Sequence, residues 1–288
     1  MDGAIVLSKD LKKILYANTQ IIPSSKIATY ETGTRHRTAE RTAKQTGELV
    51  ISISQRRNII TVFKGEFRYT IEDTAKIITR ANQALQTLEN YKKVFDNKLS
   101  ILNEYEFNDI VTLDNVITCL QKAEMVMRIA EEVTRAILEL GADGFLVKMQ
   151  LEELVENMPN EELLIIKDYM APSRRLSPEK VLKLIKDETG DGFIDSNTIA
   201  KLLGYDLFEN YEEVAVYPRG YRILYKIPRM PNTIVNNLVK TFKSFQHILA
   251  ADIQKLDDVE GIGEVRARTI KQSLKRMQEQ FVFDNLMI

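Results

Sequence analysis

Cationic side chains crowd the start of a predicted helix near the beginning of the chain. Thr34, Arg35, His36 and Arg37 are consecutive, and Arg41 follows one turn later. A helix N-terminus already carries a partial positive charge, so cations are unusual there. Guanidinium, imidazole and hydroxyl groups beside unpaired backbone N–H groups are the donors that bind phosphate. The segment therefore predicts an anion site, and the alternative is a solvated basic surface that binds nothing.

The elements around this cluster predict an α/β unit over residues 1–71. Thr32 and Thr34 are both candidates for the N-cap of the helix, and Gly47 is expected to end it. Apolar and β-branched runs separated by turn signals predict strands at 4–7, 49–53, 59–63 and 67–70, and 14–17 and 21–22 are short apolar runs. Strands covered by at least one helix form a layered α/β domain.

Charge divides the 288-residue chain into three regions. The net charge is −1, but it is +6 over residues 1–71, −9 over 72–226 and +2 over 227–288. A basic head, an acidic middle and a mildly basic tail indicate three units with different partners. Cys119 is the single cysteine, no apolar run reaches membrane-spanning length, and the start lacks a signal-peptide pattern. The expected location is therefore a reducing cytoplasm.

Residues 72–226 are predicted to form a long helical spine. Neither Gly nor Pro occurs from Glu66 to Leu140, so long helices are expected to end at Gly141. The first long helix is expected to start at Thr70, with Asp73 three residues later. A break that separates two long helices is expected between 103 and 109. Apolar residues recur at heptad-like spacing at Ile78, Ala81, Leu85, Leu88, Phe95, Leu99 and Leu102. Further helices are predicted over 145–157, 161–169 and 178–188.

The tail, residues 227–288, resembles a helix-hairpin-helix motif. Gly261, Ile262 and Gly263 form the expected turn, and Asp252 is the expected cap of the helix before it. Five cations follow within eleven residues, at Arg266, Arg268, Lys271, Lys275 and Arg276. Backbone N–H groups at a helix start, together with cations, bind DNA phosphates without reading sequence. The alternative is a helical adaptor that contacts protein. The predicted apolar core of the motif is Val259, Ile262, Val265, Ile270 and Leu274.

The tail also contains an internal repeat with a period of 32 residues. Ile227 aligns with Val259, and Leu238 aligns with Ile270. Arg229 and Pro231 replace the two turn glycines in the first copy. We expect a tandem pair in which the second copy binds phosphate and the first copy mainly packs.

Several motifs of the head resemble the diadenylate cyclase domain. They are Asp2-Gly3-Ala4, the run from Tyr16 to Pro23, the run from Gly33 to Arg41, and the run from Glu48 to Ser54. The resemblance continues through the rest of the chain and is to the DNA-integrity scanning diadenylate cyclases. The implied fold is a multi-domain α+β chain with a partial α/β cyclase domain at 1–71, a helical spine at 72–226 and a tandem helix-hairpin-helix DNA-binding domain at 227–288.

The resemblance implies that two ATP molecules, held by facing subunits, are joined into cyclic di-AMP with loss of pyrophosphate. Asp2, Arg35 and His36 would be the catalytic residues, and Asp2 would hold Mg²⁺ or Mn²⁺. The implied ATP-binding residues are Gly3, Ala4, Tyr16, Asn18, Thr34, Arg35, His36, Arg37 and Ser54. The implied DNA-binding residues are Gly261, Ile262, Gly263, Arg266, Arg268 and Lys271.

The implied partners are double-stranded or branched DNA and further copies of the chain. The resemblance implies a homo-oligomer in which the heads of two subunits face each other, and this oligomer is an octamer in the family. The implied location is the bacterial cytoplasm, near the nucleoid and away from membranes.

Two departures from the family pattern bear on activity. The family's domain has a similar length of chain before the Asp2-Gly3-Ala4 motif, so the cyclase domain is expected to be partial here. Gln55 follows Ser54 where the family usually has Glu, and an amide cannot supply that charge. The alternative function is therefore a non-catalytic DNA-binding and oligomerising protein. A nuclease is a weaker alternative, because Asp2 has no acidic cluster beside it.

Overall fold

The computed structural model describes residues 3–55, 59–188, 194–205 and 210–284. The strands of this described part are β1 (Ala4–Leu7), β2 (Ile14–Thr19), β3 (Leu49–Ser54), β4 (Ile59–Lys64) and β5 (Phe67–Ile71). Its α-helices are α1 (Thr34–Thr46), α2 (Thr74–Asn108), α3 (Leu113–Leu140), α4 (Phe145–Val155), α5 (Met158–Tyr169), α6 (Pro178–Glu188), α7 (Ser196–Leu203), α8 (Tyr221–Tyr225), α9 (Asn232–Phe242), α10 (Phe245–Ala250), α11 (Ile253–Asp257) and α12 (Glu264–Asp284).

The chain forms two compact units, where charge had indicated three regions. The first unit contains Met1–Ala81 and Leu138–Gly144, and the second contains Asn82–Ile137 and Phe145–Ile288. The mixed α+β class is confirmed, because strands occupy the beginning of the chain and helices the remainder.

The described residues of the first unit form two separate antiparallel sheets. β1 pairs with β2, and β3, β4 and β5 form a three-stranded sheet in chain order. Helix α1 covers β3 and β4, as the sequence predicted. Its buried Ala39 and Ala43 pack with Phe63 and the partly buried Val50. The small alanines allow the helix to lie close to the sheet.

Helix α2 starts later than the sequence predicted. The expected start at Thr70 is wrong, because Thr70 belongs to β5 and pairs with Thr61 of β4. The cap is Asp73, whose Oδ1 accepts the N–H of Ala75 at 2.9 Å. An aspartate carboxylate is a good acceptor for an unpaired N–H of the first helical turn.

A break between two long helices is confirmed, but it lies at 109–112, because α2 runs unbroken to Asn108 through most of the stretch where the break was expected. Asp109 adopts φ of 59° between α2 and α3, a left-handed conformation that ends a helix. Val111 then accepts the N–H of Val216 at 3.0 Å, and Leu113 donates its N–H to Val214 at 2.8 Å. The connection between the helices is thereby fixed to the segment that precedes the C-terminal helices.

A buried carboxylate of α5 caps the short helix α8. Asp168 is 2% exposed and accepts three backbone N–H groups, from Gly220 at 2.8 Å, Tyr221 at 2.7 Å and Arg222 at 2.9 Å. Burial and the negative charge of Glu106 raise the pKa of Asp168 to about 7, against the lowering effect of Arg222 and the N–H donors. Three N–H groups that α8 cannot satisfy by itself are thereby paired.

A buried ion pair joins α2 to α8. Glu106 and Arg222 are both fully buried and in direct contact. Arg222 also donates to Oδ1 of Asn103, and the hydroxyl of Tyr169 donates to Oε1 of Glu106 at 2.6 Å. Burial raises the pKa of Tyr169 well above its ordinary value, so the hydroxyl stays protonated and donates. Helices α2, α5 and α8 therefore share one core, and the chain has no division between compact units at residue 227.

Glu162 on α5 gives the second unit an expected pH dependence. Its side chain is 1% exposed, and its Oε2 lies 3.8 Å from the ammonium of Lys186. Burial is the largest cause of the shift that raises the pKa of Glu162 to about 8. The ammonium of Lys186 opposes this rise, and the negative charge of Glu124 adds to it. The folded chain therefore keeps a proton that the unfolded chain releases from about pH 4.5 upward, so stability falls as pH rises toward 8. We expect a loss of up to about 1.4 kcal/mol per pH unit in this window.

Urea unfolding at pH 6 and pH 8 measures this slope. Glu162→Gln should reduce it, because the amide carries no proton to release, and the slope that remains near pH 6 comes from Asp168, whose pKa is raised to about 7. Glu152→Gln on α4 is the matched control, since Glu152 is exposed, and it should keep the wild-type slope. Equal slopes for wild type and Glu162→Gln would contradict the assignment.

Candidate functional site

The β1–β2 hairpin brings the first two predicted motifs together. Ala4 pairs with Thr19, and the N–H of Gly3 donates to Oδ1 of Asn18 at 3.0 Å. A Cβ on Gly3 would lie 2.3 Å from the carbonyl carbon of Asn18, so only glycine fits. Asn18 itself adopts φ of 56°, a conformation that asparagine tolerates better than most residues. Tyr16 on the same strand is 64% exposed.

Asp2 lies outside the described residues. Its convergence with Arg35 and His36, and its role as a metal ligand, therefore stay predictions. Within residues 3–55, 59–188, 194–205 and 210–284, the structure contains no group of three or more His, Cys, Asp or Glu side chains that could hold a metal ion.

Helix α1 presents an N-terminus without a side-chain cap. The expected caps Thr32 and Thr34 are both wrong, because Gly33 occupies the N-cap position and makes no side-chain hydrogen bond. No acidic residue lies in the first turn. Thr34 and Arg35 are exposed, and His36 is half-buried with its ring beside Gly33. Backbone N–H groups, a hydroxyl, a guanidinium and an imidazole are therefore gathered at one helix end.

Arg37 shapes the turn that leads into this helix. Its Nε donates to the carbonyl of Glu31 at 3.0 Å, and one terminal nitrogen donates to the carbonyl of Thr32 at 3.3 Å. Its backbone N–H closes the first helical turn on the carbonyl of Gly33 at 2.8 Å. Arg37 is therefore a predicted phosphate ligand that also fixes the backbone before the helix.

Glu40 is a positioning residue that the sequence did not indicate. Its carboxylate is 3% exposed and accepts the hydroxyl of Thr29 and the N–H of Tyr30, the latter at 3.2 Å. The ammonium of Lys44 lies 3.1 Å away. Burial alone would raise the pKa of Glu40, but the bonds from Thr29, Lys44 and Tyr30 together hold it below its usual value. These contacts fasten the segment before α1 onto the helix.

Chain geometry places Ser54 at the same end of α1 as the cationic cluster. α1 has 13 residues and β3 has 6, which gives each a length of about 20 Å. Two residues, Gly47 and Glu48, connect them, so β3 returns along the helix that it packs against. Its last residue is Ser54, which is half-buried, and the following Gln55 is exposed.

The predicted C-terminal turn lies between α11 and α12. Asp252 caps α11 as expected, and its Oδ1 accepts the N–H of Lys255 at 2.8 Å. Gly261 adopts φ of 83°, and Ile262 is buried at 7% exposure. Val265 was predicted in the core, and this is wrong, because it is 82% exposed in the first turn of α12.

The predicted DNA-binding cations of α12 have different surroundings. Arg266 donates to the carbonyl of Gly261 at 2.6 Å, which holds its guanidinium beside the turn. Arg268 forms an exposed ion pair with Glu264 at 2.5 Å. Lys271 donates to the carbonyls of Leu249 and Ala251 at 2.8 and 2.7 Å, so its ammonium also closes the end of α10.

The 32-residue repeat is confirmed as a structural repeat. Helices α8 and α11 begin at Tyr221 and Ile253, and α9 and α12 begin at Asn232 and Glu264. The first copy therefore starts at α8, before the boundary expected at residue 227. Arg229 adopts φ of 58° at the position that Gly261 occupies in the second copy. The buried pairs are Leu224 and Leu256, Ile227 and Val259, Val235 and Ala267, and Leu238 and Ile270.

Gly261→Ala should destabilise the second unit by about 1–2 kcal/mol, because an L-residue is strained at positive φ. The added Cβ would also lie 2.8 Å from Cδ1 of Ile234. Urea unfolding measures the loss. Gly263→Ala is the matched control, because no atom lies within 4 Å of a Cβ placed there, and it should cost less. Equal losses would show that the conformation of Gly261 is not the cause.

Comparison with known proteins covers nearly all of the chain by alignment with relatives, and residues up to 211 by family models. Residues 1–67 match the family model described as DisA bacterial checkpoint controller nucleotide-binding, and residues 71–211 match the DisA bacterial checkpoint controller linker region. DNA integrity scanning protein DisA of Carboxydothermus hydrogenoformans is 51% identical over 280 residues, which are 97% of this chain and 80% of that relative. The chain belongs to the DisA family.

Other DisA relatives give the same result. The protein of Clostridium kluyveri is 50% identical over 285 residues, and that of Acetivibrio thermocellus is 52% identical over 285 residues. These alignments cover 99% of this chain and about four-fifths of each relative. The DisA nucleotide-binding match contains the β1–β2 hairpin and α1, and the linker match contains Glu106 and Asp168. In the described part of the chain, no helix is long and apolar enough to cross a membrane.

Proposed function

We propose that this chain is a diadenylate cyclase whose C-terminal repeat binds DNA. The uncapped N-terminus of α1, with Thr34, Arg35 and His36, carries the catalytic part of the proposal. It lies within the residues that match the nucleotide-binding model. The relatives named DNA integrity scanning protein support the DNA-binding part.

The reaction joins two ATP molecules held in opposite orientation. Each 3′-hydroxyl attacks the α-phosphate of the other ATP, a new P–O bond forms, and the bond to pyrophosphate breaks. Two phosphodiester bonds give cyclic di-AMP, two pyrophosphates leave, and each hydroxyl loses its proton. Such a transfer needs positioning and positive charge around the phosphates more than covalent chemistry from the protein.

The residues of α1 supply that positive charge. Arg35, His36 and the backbone N–H groups at the helix start hold phosphate oxygens, and Thr34 adds a hydroxyl donor. Arg37 contributes through the turn that it fixes and through its remaining donors. Gly3, Ala4, Tyr16 and Asn18 on the hairpin contact the nucleoside, and Ser54 lies at the same end of α1.

Asp2 is the proposed ligand of Mg²⁺ or Mn²⁺. A carboxylate oxygen is the donor type that both ions prefer. When bound there, the ion supplies positive charge beside the attacking hydroxyl and the α-phosphate. One head carries one such nucleotide site, so two heads must face each other, and we propose a homo-oligomer built from such pairs.

The C-terminal repeat is proposed to act as a tandem helix-hairpin-helix. N–H groups of the turn at Gly261, Ile262 and Gly263 contact a DNA phosphate, and Arg266, Arg268 and Lys271 add positive charge. Binding should weaken steeply with salt, because such contacts release counterions. An assembly that carries several tails would hold double-stranded or branched DNA more firmly than one tail.

The test is product formation by the purified 288-residue chain with ATP and Mn²⁺. We expect cyclic di-AMP and pyrophosphate, and we expect Asp2→Asn to abolish both. DNA retention without any cyclic di-AMP would favour the second candidate, a non-catalytic DNA-binding and oligomerising protein. Gln55, which stands where a charged residue is usual in the family, is the observation that favours this candidate.

A further inference from the structure

Each turn of the C-terminal repeat faces the helix start of the other copy. A Cβ on Gly261 in the second turn would lie 2.8 Å from Cδ1 of Ile234 on α9. The side chain of Asn237 on α9 donates to the carbonyl of Glu260 in the same turn at 2.9 Å. On the other side, Arg229 of the first turn and Arg266 of α12 line one groove. The two copies therefore contact each other reciprocally.

One of these two contacts between the copies is tightly packed, and the other is open. Where the second turn meets α9, Ile234 is only 6% exposed and packs against a glycine. The matching positions 32 residues away hold Arg266 in place of Ile234 and Arg229 in place of Gly261. There the structure has an open groove of about 510 Å³. A bulky cation occupies each of the two matching positions at this open contact.

The conformation of Arg229 adds to this difference. It adopts φ of 58°, a region in which glycine costs nothing and arginine costs free energy. A residue kept at such a position at a cost to stability points to a use for its side chain. Arg229 is exposed at the edge of the groove.

The lining of the groove combines positive charge with apolar surface. Arg229 and Arg266 are exposed cations, while Val265 is 82% exposed and Met230 is half-buried. Glu264 also lines the groove, but its carboxylate is paired with Arg268 at 2.5 Å. A ligand that fits has an anionic group and a flat apolar face of modest size. One nucleotide of a nucleic-acid strand has both.

We propose that this groove holds a single nucleotide that has left the stack of a DNA duplex. Its phosphate lies between Arg229 and Arg266, and its base packs on Val265 and Met230. A base inside a duplex hides both faces against its neighbours, whereas an unpaired base exposes them to protein side chains. The groove thus gives the tail a preference for interrupted DNA. The inference rests on the proposed DNA-binding function and deepens it.

The test compares two DNA ligands with the full chain. One is a labelled duplex, and the other is the same duplex with one unpaired 2-aminopurine nucleotide. We expect fluorescence anisotropy to show about tenfold tighter binding of the interrupted duplex, the scale of burying one base face against apolar side chains. The 2-aminopurine emission should rise on binding, because the base leaves its neighbours and none of the groove-lining residues is aromatic.

Two sets of variants separate the groove from general charge. Arg229→Gly with Arg266→Ile restores the residues found at the closed contact and should reduce the preference to about equal binding. Lys275→Gln with Arg276→Gln removes the same charge from exposed positions of α12 outside the groove. This variant should weaken the binding of both DNA ligands equally and leave the ratio of their dissociation constants unchanged. Val265→Ala, at an exposed position that does not threaten folding, should lower the ratio without changing duplex affinity.

The outcomes distinguish the inference from the function beneath it. Equal binding of both ligands by the wild type, or an unchanged preference in Arg229→Gly with Arg266→Ile, would overturn the groove and leave DNA binding intact. Failure of the wild type to bind either ligand at low salt would overturn both.

Discussion

Arg35→Ala is expected to lower cyclic di-AMP formation by about a hundredfold to a thousandfold, the usual effect of removing one donor to a developing negative charge. Arg35 is exposed in the first turn of α1, where the helix has no side-chain cap and no acid. The loss should appear mainly in kcat if its guanidinium contacts the α-phosphate or the departing pyrophosphate, where charge changes during the reaction. A loss confined to KM would place it on phosphates that do not react.

Lys76→Ala is the matched control for this experiment. Lys76 is an exposed cation of α2 in the same unit, so the variant removes equal charge away from the start of α1. Arg35→Lys should recover only part of the activity, because an ammonium keeps the charge but not the planar pair of donors. Turnover of Arg35→Ala at the level of Lys76→Ala would remove Arg35 from the site.

The sequence was informative where the signal is local and periodic. The strands of the head, the break between α2 and α3 and the 32-residue repeat all follow from spacing of apolar residues and from turn residues. The caps of α1 and α2 were mispredicted, because several threonines and aspartates near a helix start can serve equally well. Which one does so depends on where the backbone enters the helix. Thr70, for example, was already committed to a strand pair.

Features that depend on distant contacts could not be predicted. Glu40 has the i,i+4 spacing to Lys44 of an ordinary surface pair, and nothing local shows that it is buried against Thr29. Val265 has the spacing of a core residue, but it is the second residue of α12, and its neighbours Glu264 and Arg266 are exposed with it. Arg222 resembles a surface cation, and its partner Asn103 is 119 residues away.

The buried pair of Glu106 and Arg222 carries the largest expected effect on stability. Glu106→Gln keeps an acceptor for the hydroxyl of Tyr169 but leaves the fully buried guanidinium of Arg222 without its counter-charge. Arg222→Met has the converse effect, because it leaves the fully buried carboxylate of Glu106 without a cation to pair with. Breaking a buried ion pair from one side costs about 3–5 kcal/mol, a large part of the total stability of a domain.

The double variant decides whether the pair itself is responsible. With both charges removed, no unpaired charge remains in the core, so the combined loss should be well below the sum of the two single losses. Urea unfolding of the four chains gives this coupling free energy. Lys148→Met is the control, because its pair with Glu152 is exposed on both sides and should change stability by less than about 0.5 kcal/mol. Single losses below about 1 kcal/mol would mean that water reaches the pair after substitution, and that packing rather than charge joins α2 to α8.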